Sequence, residues 1–183
     1  HRPSWMEVLE AVHITWDKKQ DDIQHQSNQL LQYLQQTYQY ESQEFLPEID
    51  VTAVVRQISL QYDAVNGGFT AAPKFPNFSV IRLLTHIAKN YRDTKAEEMA
   101  LFTLSKLTTS GIYDPVAGGL CRYATDTEWR IPHFEKMLYD NALLITSLAH
   151  AYAIQSDKKW MHIISQITQF CEQTLKQSSG LYA

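Results

Sequence analysis

Cysteine is scarce in this chain: its 183 residues hold two, Cys121 and Cys171. They lie too far apart for a CxxC redox site or a zinc ribbon. Two free thiols, a reducing compartment and no metal or other cofactor are therefore the expectation. Glycine and proline number six each, which leaves little flexible linker. A basic surplus is absent too. Sixteen Lys and Arg stand against 20 Asp and Glu, a net charge of −4. A nucleic-acid partner would call for a basic stripe, so none is expected. No apolar run approaches the ~18 residues of a membrane span, which excludes a membrane partner from the expectation. The first residues, His1-Arg2-Pro3-Ser4-Trp5, contain no apolar signal segment. Together these absences point to a cytoplasmic protein.

What is present is helical pattern. Hydrophobic residues make up 44% of the chain, enough for a core. Ser4-Trp5-Met6-Glu7 reads as a capping box, in which hydroxyl and carboxylate satisfy free amides at a helix start. Trp5, Val8, Leu9, Val12 and Trp16 follow at helical intervals, and Ile23, Leu30, Leu31 and Leu34 carry the pattern through a Gln-rich stretch to about Tyr38. A linker is expected at Tyr40–Pro47. Asp50 then caps a helix running to Asn66-Gly67-Gly68, and Asn77 opens another. Thr94-Lys95-Ala96-Glu97 reads as a second capping box, on a helix ending at Gly111. A long loop over Ile112–Pro132 leads into a helix from His133 to about Ile154, apolar around most of its circumference and so expected to be an inner one. Asp157 caps a last helix ending at Gly180. No strand pattern emerges, and the expected fold is all-α, built of helical hairpins. Glycine followed by apolar residues recurs at Gly67-Gly68-Phe69, Gly111-Ile112-Tyr113 and Gly180-Leu181-Tyr182, the rhythm of a hairpin array or an α/α toroid.

Two loops hold residues that a plain connection does not need, 67–76 and 111–141. On a helix beginning at His133, positions 133, 136 and 140 fall within about 60° of one another. His133, Lys136 and Asp140 would then share a face, suited to acid–base work on a hydroxylated substrate. A structural network, with Lys136 paired to Asp140, is the competing explanation. Phe75, Tyr113, Tyr123 and Trp129 are candidates for a sugar-stacking platform, with ordinary core packing as the alternative. His133 and Glu135, two apart on a helix, do not match the four-residue spacing of a zinc-binding pair.

The strings GGFTAAPKFP at 67–76 and GIYDPVAGGLCRYATDTEWRIPHFEKMLYDNALL at 111–144 resemble the spermatogenesis-associated, thioredoxin-like protein family. The resemblance covers nearly the whole chain. It implies a thioredoxin-like domain joined to a six-hairpin, glycosidase-like (α/α)6 toroid related to N-acylglucosamine 2-epimerases. Residues 1–38 would be the last helix of the thioredoxin-like part plus a helical connector, and 48–183 the first part of the toroid. The remaining thioredoxin-like and toroid portions would be this fragment's own partners. The family usually has a glycine at 117, a phenylalanine at 120 and a histidine at 121, where this chain has Ala117, Leu120 and Cys121.

On these grounds the candidate catalytic residues are His133, Asp140 and Glu135. Candidate ligand-binding residues are Lys74, Phe75, Tyr113, Asp114, Arg122, Tyr123, Trp129, Lys136 and Asn141. The expected ligand is a carbohydrate or small polyol. Two functions stay open: a carbohydrate-active enzyme of epimerase or hydrolase type, inactive as a fragment, and a non-catalytic interaction scaffold attached to a thioredoxin-like domain.

Overall fold

The computed structural model describes residues 2–38 and 48–182. The linker expected at Tyr40–Pro47 lies outside the described residues. The chain divides into two compact units, His1–Glu48 and Ile49–Ala183.

The first unit holds α1 (Trp5–Lys18) and α2 (Gln20–Tyr38). The Ser4 capping box forms as expected: the Glu7 amide donates to Ser4 Oγ at 3.3 Å and the Ser4 amide to Glu7 Oε2 at 2.6 Å. The helical pattern is interrupted at Lys19, whose φ of −135° leaves the α region. Trp5, Leu9, Val12, Trp16, Leu30 and Leu31 are exposed along these helices.

The second unit is built from α3 (Val51–Ser59), α4 (Phe78–Tyr91), α5 (Thr94–Thr109), α6 (Leu138–Ile154) and α7 (Lys158–Phe170), followed by a π-helical turn at Cys171–Leu175. Among the described residues the only strands are β1 (Tyr123–Ala124) and β2 (Pro132–His133), paired antiparallel. The class is all-α, as the periodicity implies. α4 packs on α3, α5 and α6, while α6 packs on α4, α5 and α7. Short links join α4 to α5 and α6 to α7. The long connections, 60–77 and 110–137, precede α4 and α6, which pack on each other, and backbone pairing of Lys74 with Ala124 brings them together at one end.

Several boundaries differ from the sequence expectation, each for a local reason. α3 stops at Ser59, because the Asp63 carboxylate takes the amides of Val65 and Asn66 at 3.0 and 2.9 Å and diverts the backbone into a turn. α5 is capped by Asp93, which accepts from Ala96 at 2.8 Å, so Thr94 is the first helical residue and the expected box does not form. α6 begins at Leu138 and not His133, because Pro132 and His133 pair with Ala124 and Tyr123. The last α-helix ends at Phe170, well before Gly180. Asp50 and Asp157 cap α3 and α7 as expected, whereas Asn77 precedes α4 in the left-handed region without a side-chain cap.

The true repeat also differs from the glycine rhythm. Tyr62-Asp63-Ala64-Val65-Asn66-Gly67-Gly68 and Tyr113-Asp114-Pro115-Val116-Ala117-Gly118-Gly119 form the same loop, and Gly111 is not its equivalent. In each, the aspartate Oδ1 accepts the amides two and three residues on, at 2.9–3.0 Å. The aspartate backbone bonds the two glycines at 2.8–3.0 Å. A lysine closes each loop: Lys74 Nζ lies 2.7 Å from Asp63 Oδ2, and Lys136 Nζ lies 2.7 Å from Asp114 Oδ2. Each ammonium also sits over a ring, Trp129 at 4.9 Å and Phe170 at 4.8 Å. The second glycine of each pair, Gly68 and Gly119, has positive φ and lies under that same ring.

A Cβ at Gly68 would stand 2.7 Å from the Trp129 ring at a φ of +88°, whereas one at Gly180, φ +83°, meets nothing within 4 Å. Gly68→Ala is therefore expected to lose about 2–4 kcal/mol, from overpacking added to left-handed strain, and Gly180→Ala about 1 kcal/mol from strain alone. Urea denaturation of the two variants checks the order.

Candidate functional site

At the loop end the backbone of Lys74 pairs with Ala124, its amide donating to Ala124 O at 2.8 Å and its carbonyl accepting at 2.9 Å. This adds a third rung to the β1–β2 pair. Side chains alternate across such a strip, so Phe75, Tyr123 and His133 stand side by side on one face. Phe75 and Tyr123 ring centroids are 4.7 Å apart, and Tyr123 and His133 are stacked, also at 4.7 Å. The three form a short ladder with Phe75 at its open end, 37% exposed.

Beside the ladder, Arg122 donates its amide to Glu135 O at 2.8 Å, and its guanidinium lies 3.3 Å from Glu135 Oε2. The same carboxylate is 3.7 Å from His133 Nδ1. Asp140, in the first turn of α6, is only 8% exposed. Its Oδ2 and His133 Nδ1 are buried without a hydrogen-bond partner among the described residues. Burial pushes the Asp140 carboxyl up to about 6, and the nearby Arg122 charge offsets this only in part. α6 itself starts without a side-chain cap, so its amides face this region with their partial positive charge.

The two candidate loops do meet, through Lys74–Phe75 against Tyr123–Trp129. The shared helical face does not exist. His133 lies in β2, Lys136 in the following turn and only Asp140 in α6. Lys136 pairs with Asp114 and not with Asp140, so the expected Lys136–Asp140 network is also corrected. Trp129 is fully buried and its Nε1 donates to Asn66 O at 2.9 Å, which removes it from any stacking platform. Tyr113 is likewise buried, donating to Gln166 Oε1 at 2.9 Å. Lys74 is fully buried on Asp63 and on Thr127 O at 2.8 Å. Asn141 is fully buried and cross-links the loop, accepting from the Leu120 amide at 2.7 Å and donating to Leu120 O at 3.2 Å. These residues do not face solvent as ligand-binding groups would, and Asp114, half-buried, is spent on Lys136 and its own turn. Phe75, Arg122, Tyr123, His133, Glu135 and Asp140 remain as the site's chemical face.

Asp63, which sequence reasoning missed, is the partner Lys74 requires. The signal was in the sequence, because Tyr62-Asp63 aligned on Tyr113-Asp114 places it at the start of the repeated loop. Asp126 also organises the second loop, its carboxylate accepting the amides of Glu128, Arg130 and Ile131 at 2.6–3.1 Å.

No family model matches the chain. Mouse spermatogenesis-associated protein 20 is 40% identical to it over 129 residues, 68% of this chain and 16% of the mouse protein. The human protein of the same name is 37% identical over the same shares. This chain belongs to the spermatogenesis-associated protein 20 family. It spans about a sixth of the length of these relatives. An uncharacterized protein of Caenorhabditis elegans is 28% identical over 182 residues, 96% of this chain and 25% of its own. Among solved structures, a sugar epimerase from a ruminal bacterium superposes with a TM-score of 0.63 at 16% identity, over 70% of this chain and 36% of that one. Cellobiose 2-epimerase from Bacillus thermoamylovorans does so with 0.58 at 15% identity, over 72% and 40%. The likeness is one of fold: helical hairpins forming part of an (α/α)6 toroid.

The carboxylates at this end titrate in opposite senses. Asp140 binds its proton more tightly folded than unfolded, so its contribution to stability falls as pH rises from about 4 to about 6. Above that window the ionised group costs up to about 3 kcal/mol, at about 1.4 kcal/mol per pH unit. Asp140→Asn is expected to be more stable than the parent at pH 7, with the advantage vanishing near pH 4. Burial raises the Asp63 carboxyl, but the Lys74 bond and the Asn66 and Val65 amides outweigh this and hold it at about 2. Asp114 is held at about 2 by Lys136 and the Ala117 and Val116 amides. Their stabilisation is present above pH 4 and is lost as pH falls towards 2. Thermal melts of parent and variant across pH 2–8 check both slopes.

Proposed function

We propose that the second unit is part of a carbohydrate-binding domain whose ligand sits at the loop end, against the Phe75–Tyr123–His133 ladder. One observation carries this reading: near an aromatic ladder, and within reach of the Arg122 charge, Asp140 Oδ2 is buried with no hydrogen-bond partner among the described residues. A buried polar group without a partner costs free energy, and a sugar hydroxyl is a donor of the right kind to meet it. The apolar C–H face of a sugar ring suits an aromatic surface, while Arg122 donates to an adjacent hydroxyl. The sugar epimerases that share the fold support a carbohydrate ligand by analogy alone.

In the whole protein the same groups serve proton transfer of an epimerase- or hydrolase-like kind. A carboxyl that titrates near 6 is suited to both giving and taking a proton at cellular pH. His133 supplies a second carrier, and Glu135 holds Arg122 and faces His133. The thioredoxin-like fusion, the division at residues 38 and 48 and a cytoplasmic location belong to this proposal as well. The absorption of Lys74, Lys136 and Asn141 into structural bonds favours a second reading, a scaffold that binds its ligand without turnover.

The test is ligand-observed NMR and calorimetry of the full-length protein with glucose, N-acetylglucosamine and cellobiose. Tyr123→Ala is expected to weaken sugar binding about tenfold, the equivalent of 1.4 kcal/mol and in the range of one aromatic contact, with helical content unchanged. Binding of none of these sugars, or binding indifferent to both Tyr123→Ala and Asp140→Asn, would sink the proposal. Turnover lost in Asp140→Asn with binding retained selects the enzyme over the scaffold.

A further inference from the structure

We infer that Lys74 is a positioning residue, whose side chain and backbone together set the register and order of the Phe75–Tyr123–His133 ladder. Its role as a sugar-site support rests on the function proposed above, but its effect on the ladder does not.

Lys74 meets the second loop at two separate points. Its backbone exchanges both hydrogen bonds with Ala124, at 2.8 and 2.9 Å. Its ammonium reaches past that rung to the carbonyl of Thr127 at 2.8 Å, while Asp63 Oδ2 holds it from the first loop at 2.7 Å. The side chain is fully buried, lies over Trp129 and fills the space that a Cβ on Gly68 would contest at 3.0 Å from its Cε. The ammonium therefore pins the first loop to the second on one face of the strip, and the alternation of side chains sends the next residue, Phe75, to the other face. Phe75 stacks on Tyr123 and Tyr123 on His133. A one-residue slip at Lys74 would carry Phe75 off this face entirely. Without the clamp the rung at Ala124 is an isolated bridge, with no neighbouring ladder bonds to fix it.

The α-helices do not depend on the ladder. The body of the unit, α4 to α7, is held by its own core, in which Ile81, Leu84, Leu104, Leu107, Leu144 and Leu148 are fully buried. Loss of the clamp should therefore loosen the ladder and leave the hairpins standing.

The experiment compares the parent chain with Lys74→Met and with the double variant Asp63→Asn/Lys74→Met. The double variant leaves no unpaired charge and keeps an oxygen for the Val65 and Asn66 amides. The readout is the His133 ring in two-dimensional NMR, where stacking on Tyr123 displaces its carbon-bound protons by ring current. In both variants these signals are expected to move towards free imidazole, while far-UV circular dichroism retains the helices. A lower melting temperature with unmoved His133 signals overturns the inference, because Lys74 would then be structural glue only. Loss of helical signal in both variants overturns it too, since the clamp would be supporting the hairpins. Neither readout uses a sugar, so failure here is separable from failure of the proposed function.

Discussion

A lysine ammonium with no access to water has to be neutralised where it stands, and the loop end of the second unit is organised around that requirement. Lys74 is completely enclosed, and the Asp63 carboxylate, the Thr127 carbonyl and the face of Trp129 make that tolerable. Breaking one partner of such a pair leaves an uncompensated buried charge, which costs on the order of 3–5 kcal/mol. The geometry follows from this. Asp63 must hold its turn, Gly68 must leave room for the ring above the ammonium, and the second loop must come close enough to lend a carbonyl. Lys136, Asp114 and Phe170 repeat the arrangement with slightly more access to water.

The same end of the molecule holds charges in two opposite conditions. Asp63 and Asp114 are saturated with donors and stay ionised far into acid. Asp140 has burial without bonds and is pushed the other way. Groups whose surroundings drive their proton affinities apart are the usual mark of a site where some carboxylates build and others react. Here Asp63 anchors the lysine that pairs with the aromatic strip, Asp114 anchors the lysine of the second turn, and Asp140 lies at an uncapped helix start.

Much of the fold was legible in the sequence because helices announce themselves locally. Ser4, Asp50 and Asp157 cap where they should. The loops were harder, since their structure is set by partners distant in the chain. His133 looks helical by its neighbours, yet Tyr123, ten residues away, claims it for a strand. Lys74, Lys136 and Trp129 stand out in the sequence as residues a loop does not need, and the structure spends them on ion pairs and a buried hydrogen bond. A lysine that binds a ligand and one that is itself buried against a half-buried aspartate look the same in one dimension. Only the doubled Tyr-Asp-x-Val-x-Gly-Gly pattern could have separated these uses in advance.

The rings that cover the two glycine notches come from later in the chain than the notches themselves. Trp129 covers Gly68, and Phe170 covers Gly119. During synthesis, then, the turn at Asp63 stays unroofed until residue 129 has left the ribosome, and the turn at Asp114 until residue 170 has. Each notch is thus closed by a ring from well beyond it in the chain: Trp129 follows α4 and α5, and Phe170 ends α7. The surface carrying Phe75, Tyr123 and His133 likewise comes into being only once the second loop has emerged and paired with Lys74.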